Sequence, residues 1–212
     1  MYFISYYYDS NPKISTFYND CAMKLQSQLH NYGYNTSFDN IDFKERGLPS
    51  EYSKLNFIKP QYILEKMEQL NDSVVWIDAD CVVRKKLEEF ENLHEYDMAY
   101  AIRHHDNITP HAELLYFNNT DRAKNFLRSW KAINDIKVKD ELYECTEHCT
   151  LIDELNLLKE KEKLENRVLL KTIGFEHLAY SGDYEQSNSV PSAKVWIGIS
   201  PLGWEYERRK TK

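Results

Sequence analysis

The stretch Val74-Val75-Trp76-Ile77-Asp78-Ala79-Asp80 limits what this chain can fold into more than any other. Four apolar residues suited to a buried strand run directly into two carboxylates spaced i, i+2. Side chains of a strand alternate faces, so Asp78 and Asp80 are expected on one side if the strand continues through them. Two like charges on one face, at the end of a core strand, are costly without positive compensation. A divalent cation is the simplest compensation. The expectation is an Asp-x-Asp metal site at the carboxyl end of a central strand, where open α/β sheets bind ligands.

The residues before this strand set its surroundings. Tyr2 to Tyr8 is aromatic and β-branched and runs into the turn signal Asp9-Ser10-Asn11-Pro12, which predicts a first strand. Ile14, Phe17, Tyr18, Cys21, Leu25 and Leu29 recur at three- and four-residue steps, predicting a helix that Gly33 can cap. A short strand follows at Tyr34 to Phe38, a polar loop at Asp39 to Ser53, and a second helix with Pro60 in its first turn. Strand, helix and strand in alternation predict βαβ units and a parallel sheet.

Beyond the two aspartates, Arg84 to Leu93 reads as a short surface helix, and Met98 to Ile102 and Glu113 to Phe117 as strands. Thr120 is an N-cap candidate for a helix carrying Ala123, Phe126, Leu127, Trp130 and Ile133, and a further helix is predicted from Thr146 to about Lys163. Arg167 to Ile173 and Lys194 to Ile199 are predicted late strands, with the polar segment Ser181 to Ser192 as a connection. The charged run from Lys159 to Lys163 is a solvated face.

At 212 residues the chain is expected to form one domain. The balance of 27 basic against 34 acidic side chains, a formal charge of -7, argues against a non-specific polyanion binder. The clusters Arg84-Lys85-Lys86 and Arg208-Arg209-Lys210 read as solvated surface or as local phosphate contacts. No apolar run approaches the ~18 residues of a membrane span, and the N-terminal residues lack the pattern of a signal peptide. A cytoplasmic location is expected, the host's if the chain is phage-encoded, with Cys21, Cys81, Cys145 and Cys149 as reduced thiols.

Three segments together resemble a GT-A-type nucleotide-diphospho-sugar glycosyltransferase of the small phage or bacterial kind. They are Val74 to Asp80 with Cys81-Val82-Val83; Phe57-Ile58-Lys59-Pro60-Gln61-Tyr62-Ile63-Leu64; and Glu113-Leu114-Leu115-Tyr116-Phe117-Asn118-Asn119-Thr120. The first is similar to the family's Asp-x-Asp motif, the second to the Lys-Pro helix before it, and the third to the strand and Asn-Asn-Thr turn after it. With the opening strand and helix they cover roughly residues 1–155. The resemblance implies a GT-A (Rossmann-like) fold with a mixed, mostly parallel central sheet flanked by helices. It implies transfer of a sugar from a nucleotide-diphosphate donor, with UDP the favoured nucleotide, to a hydroxyl of a glycan, a protein or a modified DNA base.

The same resemblance implies a nucleotide-binding half at residues 1–80, an acceptor-side half at 81–212, and a set of site residues. Mn2+ or Mg2+ would hold the diphosphate, with Asp80 as ligand, Asp78 sharing the ion or reaching the ribose, and His177 as a late ligand. Tyr6, Tyr8 and Asp9 would lie at the nucleotide base, Lys59 at the donor's phosphate or sugar, and Asn118 in the donor site. Glu147 and Asp153 are the candidate catalytic acids, Glu147 being equally explained as a carboxylate favoured at a helix N-terminus. Cys145, His148 and Cys149 also suggest zinc, but lack a second pair of ligands. His104, His105 and His111 either line the acceptor or sugar pocket with Glu113 or belong to a surface loop. A non-catalytic binding module and a sugar-1-phosphate nucleotidylyltransferase are the alternatives. The latter generally has a glycine-rich loop where this chain reads Asp9-Ser10-Asn11-Pro12-Lys13.

Overall fold

The computed structural model describes residues 1–8, 15–41, 56–102, 110–140, 147–160, 168–173, 178–180 and 195–197. Its core is a six-stranded sheet in the order β2-β1-β3-β6-β5-β7, formed by β1 Tyr2–Tyr7, β2 Asn35–Asn40, β3 Val74–Ile77, β5 Met98–Ile102, β6 Pro110–Phe117 and β7 Leu170–Ile173. β1 pairs in parallel with both β2 and β3, and β5 with β7, while β6 is antiparallel to β3 and β5. The mixed, mostly parallel sheet implied by the resemblance is therefore present; the alternation alone predicted a parallel sheet, and β6 departs from it. β4 Val82–Val83, β8 Leu178–Tyr180 and β9 Val195–Ile197 form a separate three-stranded sheet; β9 lies within the predicted strand Lys194 to Ile199, while β4, β8 and their pairing were not predicted. Two- and three-residue strands are too short to show a period of two.

α1 Ser15–Asn31 joins β1 to β2. It ends where Gly33, at φ +83, allows Gly33 N–H to reach the His30 carbonyl and Tyr34 N–H the Leu29 carbonyl, a Schellman closure. α2 Lys59–Leu70 places Pro60 in its first turn and ends at Asn71 in the left-handed region. α3 Asp121–Lys139 is capped by Thr120, whose Oγ1 accepts from Ala123 N–H at 3.2 Å, as its sequence predicted. α4 is Glu147–Glu160.

The sheet has an apolar layer on each face. On one, Ile4, Trp76, Leu115 and Phe117 meet Tyr62, Ile63 and Met67 of α2, Phe126, Leu127 and Trp130 of α3, and Leu151 and Leu155 of α4. On the other, Phe3, Val75, Ile77, Leu114 and Tyr116 meet Leu25 and Leu29 of α1 and the segment after the aspartates. That segment corrects one expectation. Arg84 to Leu93 holds only a 3₁₀ turn at Glu88–Asn92, and Leu87, Phe90 and Leu93 are buried rather than lying on a surface helix. Their three-residue spacing is that of a 3₁₀ helix, whose side chains at i and i+3 share a face.

Asp97 latches the far edge of the sheet. It is 1% exposed and accepts Thr120 Oγ1 at 2.6 Å, Arg122 Nε at 2.7 Å and Leu169 N–H at 2.8 Å, so one carboxylate joins β5, the turn into α3 and the lead into β7. Removing it takes the charged acceptor from the Thr120 hydroxyl and the Leu169 amide and leaves a small void at a buried position. Asp97→Ala is expected to lower the unfolding free energy by about 2–4 kcal/mol in urea denaturation. Arg122→Ala should cost under ~1 kcal/mol, because that side chain is 44% exposed. Equal losses in the two variants would contradict this assignment.

Candidate functional site

The carboxyl ends of β1 and β3 meet the amino end of antiparallel β6, and the two aspartates sit there. β3 ends at Ile77, before either aspartate, so the strand does not continue through them. The chain then turns over Asp78 to Cys81, closed by a hydrogen bond from Cys81 N–H to the Asp78 carbonyl at 3.0 Å, while Asp78 N–H donates to the Glu113 carbonyl of β6 at 3.0 Å. A turn ends the alternation of faces. Asp78 consequently sits against Lys59 and Trp76, whereas Asp80 acts electrostatically on Cys21 of α1 and on Cys81.

Asp78 already has its compensation. Its Oδ1 accepts Lys59 Nζ at 3.1 Å and Trp76 Nε1 at 2.6 Å. Lys59 is 1% exposed, also donates to the Ala112 carbonyl at 3.0 Å, and lies 5.0 Å from the centre of the Trp76 ring. An ammonium at the first residue of α2 opposes the positive end of the helix dipole, and Asp78 offsets that cost. Lys59, expected at the donor's phosphate or sugar, is the counter-ion of Asp78 in this structure.

Asp80 is the uncompensated carboxylate. Burial, and then the charge of Asp78, push its pKa up to about 7, with Lys59 too weakly coupled to offset them. A group held in this way favours a bound cation or a proton. The sign of the stability effect follows from linkage. The folded-state pKa lies above the unfolded value, so the metal-free protein binds more protons folded than unfolded, and stability falls as pH rises from about 4 to about 7. Asp80→Asn removes that fall. In chelator, the urea midpoints of parent and variant should coincide near pH 4 and separate in favour of the variant up to about pH 7, with a constant gap above. Parallel profiles would show that Asp80 does not carry the cost.

Burial, followed by the Asp80 charge, raises both neighbouring thiols, Cys21 to about 12, which keeps them neutral.

The remaining expected residues divide by position. Tyr6 is buried between Tyr62 and Trp76, at 5.1 and 4.9 Å between ring centres, which gives its ring to the core. Tyr8, at the end of β1, is half-buried and stacks on Tyr18 at 6.0 Å. Asn118 must be removed from the site. Because β6 runs antiparallel to β3, Asn118 lies beyond Val74, at the opposite end of the sheet from Asp78, roughly 16 Å away at ~3.3 Å per residue. There it donates to the His94 carbonyl and receives Asn119 N–H, a turn-forming role. Asp153 is exposed, off the buried stripe of Leu151, Glu154 and Leu155 and about 140° around α4 from His148. Glu147 opens α4, but its side chain, like Asp9, His177, His104, His105 and Cys145, lies outside the described residues.

The structure brings in one group that sequence reasoning did not assemble. His111 and Glu113 of β6 and His148 of α4 converge next to the aspartate turn, with one ligand atom from each within 4.8 Å of the others. The sequence had marked His148 with two cysteines and His111 with Glu113. Neither spacing shows that β6 and α4 meet.

No protein-family model matches the sequence, and no curated protein matches it. Solved structures do. A glycosyltransferase involved in the glycosylation of the major capsid of PBCV-1 aligns over 99% of this chain and 98% of its own, with TM-score 0.67 and 14% identity. The galactosyltransferase LgtC, solved with donor and acceptor sugar analogues, aligns over 100% and 94%, with TM-score 0.57 and 12% identity. The glycosyltransferase GlyE of Streptococcus pneumoniae aligns over 94% of this chain and 54% of its own, at TM-score 0.55 and 15% identity. At such identities the likeness is one of fold. The chain has the α/β architecture of GT-A-type glycosyltransferases, with its aspartate turn at the carboxyl end of β3.

Proposed function

We propose that this chain is a metal-dependent glycosyltransferase that moves a sugar from a nucleotide-diphosphate donor, UDP being the favoured nucleotide, to an acceptor hydroxyl. One observation carries the reading. In a fold shared with glycosyltransferases, one aspartate of the strand-end turn is neutralised by a buried lysine, and the other is left with its pKa pushed up to about 7. That donor chemistry fits a hard divalent ion, Mn2+ or Mg2+, with Asp80 as ligand and His177 as the proposed late ligand.

When bound, such an ion neutralises charge on the departing diphosphate. The chain's own residues do the rest. The Lys59–Asp78 pair and the hydrogen bond from Asp78 N–H to Glu113 fix the turn, so that Asp80 is presented from a rigid strand end. Tyr8, with Asp9, is the proposed contact to the nucleotide base, and Glu147 the proposed acid beside the transferred sugar. Residues 1–80 form the proposed donor half of one domain and 81–212 the acceptor half.

Among the described residues no helix is long and apolar enough to cross a membrane. A cytoplasmic site of action is part of the proposal. Glycans, proteins and modified DNA bases are all acceptors of the required kind, and the formal charge of -7 disfavours DNA. The test needs no acceptor: a panel of nucleotide-sugars is incubated with the protein and Mn2+, and slow hydrolysis is measured. Hydrolysis of one donor class, abolished by chelator, is expected. Absence of both hydrolysis and Mn2+-dependent UDP binding by titration calorimetry would overturn the proposal.

A further inference from the structure

The group formed by His111, Glu113 and His148 has no role in the reading above. Its position depends on an irregularity in the sheet. Along β5, Tyr100 faces Leu115 of β6 but the next residue, Ala101, faces His111, so Ala112, Glu113 and Leu114 are displaced from the β5 ladder. Bulges of this kind re-aim side chains and concentrate at functional sites. The displaced segment holds Glu113, which is 6% exposed, beside His111, which is 1% exposed, and both meet His148 from the first turn of α4.

The contacts are those of a ligand set. Glu113 Oε2 meets His111 Nδ1, Glu113 Oε1 lies 3.4 Å from His148 Nε2, and the imidazole rings stand edge to face with centres 5.2 Å apart. A separation of 3.4 Å is long for an N–H···O bond, but it is the spacing of two ligand atoms around an ion with bonds of about 2.1 Å. Two imidazoles and one carboxylate suit a borderline first-row cation such as zinc, and leave coordination positions for water or a ligand. Between the bulged segment and the aspartate turn stands the Lys59 ammonium, bonded to the Ala112 carbonyl and to Asp78 Oδ1.

We propose that His111, Glu113 and His148 form a second divalent-cation site, of zinc type, that ties the start of α4 to β6 beside the aspartate turn. The site goes beyond the glycosyltransferase reading and does not depend on it. It has a specific consequence at Ala112. In the metal-free protein the Ala112 N–H donates to His148 Nδ1 at 3.1 Å, which places the ring proton on Nε2. Coordination through Nε2 moves that proton to Nδ1, where it faces the Ala112 N–H donor to donor, so the amide must change partner.

The test uses the full chain, freed of metal by chelator and titrated with Co2+ and then Zn2+. One equivalent of Co2+ is expected, with the visible absorption of a four- or five-coordinate site and displacement by Zn2+. Glu113→Gln and His148→Ala should each weaken it by at least about 10-fold, while Asp80→Asn leaves it unchanged. Zn2+ should also shift the Ala112 amide resonance in the unsubstituted protein, a readout that survives if a variant fails to fold. No Co2+ spectrum, equal affinity in Glu113→Gln and His148→Ala, loss of the spectrum in Asp80→Asn, or an unmoved Ala112 amide would each overturn the proposal.

Discussion

Asp80→Ala is expected to reduce Mn2+-dependent turnover of the nucleotide-sugar donor by at least about 100-fold, and to leave the urea midpoint in chelator at or above that of the parent at pH 8. The two halves of this result come from one cause. Asp80 lies in a turn where burial and the neighbouring Asp78 penalise its charge, and Lys59 is committed to Asp78. Its ionised form costs the metal-free protein stability, so its removal relieves folding while it disables cation binding. Asp78→Asn should behave in the opposite manner, with a larger loss of stability than of metal affinity, because Asp78 is the partner of a buried ammonium. Donor hydrolysis and denaturation on the same preparations separate the cases. Full Mn2+-dependent hydrolysis by Asp80→Ala would rule out Asp80 as the ligand.

Lys59→Ala should be among the most destabilising single substitutions, at about 3–5 kcal/mol in urea denaturation. The side chain is 1% exposed, and its removal leaves Asp78 with the Trp76 N–H as partner and takes a donor from the Ala112 carbonyl. A surface ion pair would not cost this much, typically under ~1 kcal/mol. The double variant Lys59→Met with Asp78→Asn separates charge from packing. Replacing both partners of a buried pair is often nearly neutral, so the double variant should regain most of what Lys59→Met loses. If it is as unstable as Lys59→Met alone, the pair is not what holds the turn.

Much of the fold was legible because its elements are long and periodic. α1, α2 and α3 each carry apolar residues at helical spacing together with a terminal signal, Gly33, Pro60 or Thr120, and each forms where those signals place it. Of the short second sheet only β9 was legible, within Lys194 to Ile199, and the burial of Leu87, Phe90 and Leu93 was not, since few residues and a spacing of three do not separate a 3₁₀ turn from a helix. The site was legible in part. Asp78 and Asp80 could be singled out as two carboxylates after a buried strand, but their division of labour could not, because the strand ends at Ile77 and the turn gives them different neighbours.

By itself the sequence determined the alternation of strands and helices, the buried strand that delivers the aspartates, and the presence of Lys59 on the helix before it. Those features depend on neighbours along the chain, where local propensity and period act. The tertiary structure alone decided which way β6 runs. Antiparallel pairing with β3 carries Asn118 to the far end of the sheet and brings His111 and Glu113 to the aspartate turn, where α4 adds His148. Strand direction is set by packing and hydrogen bonding between segments distant in sequence, and no spacing within either segment records it.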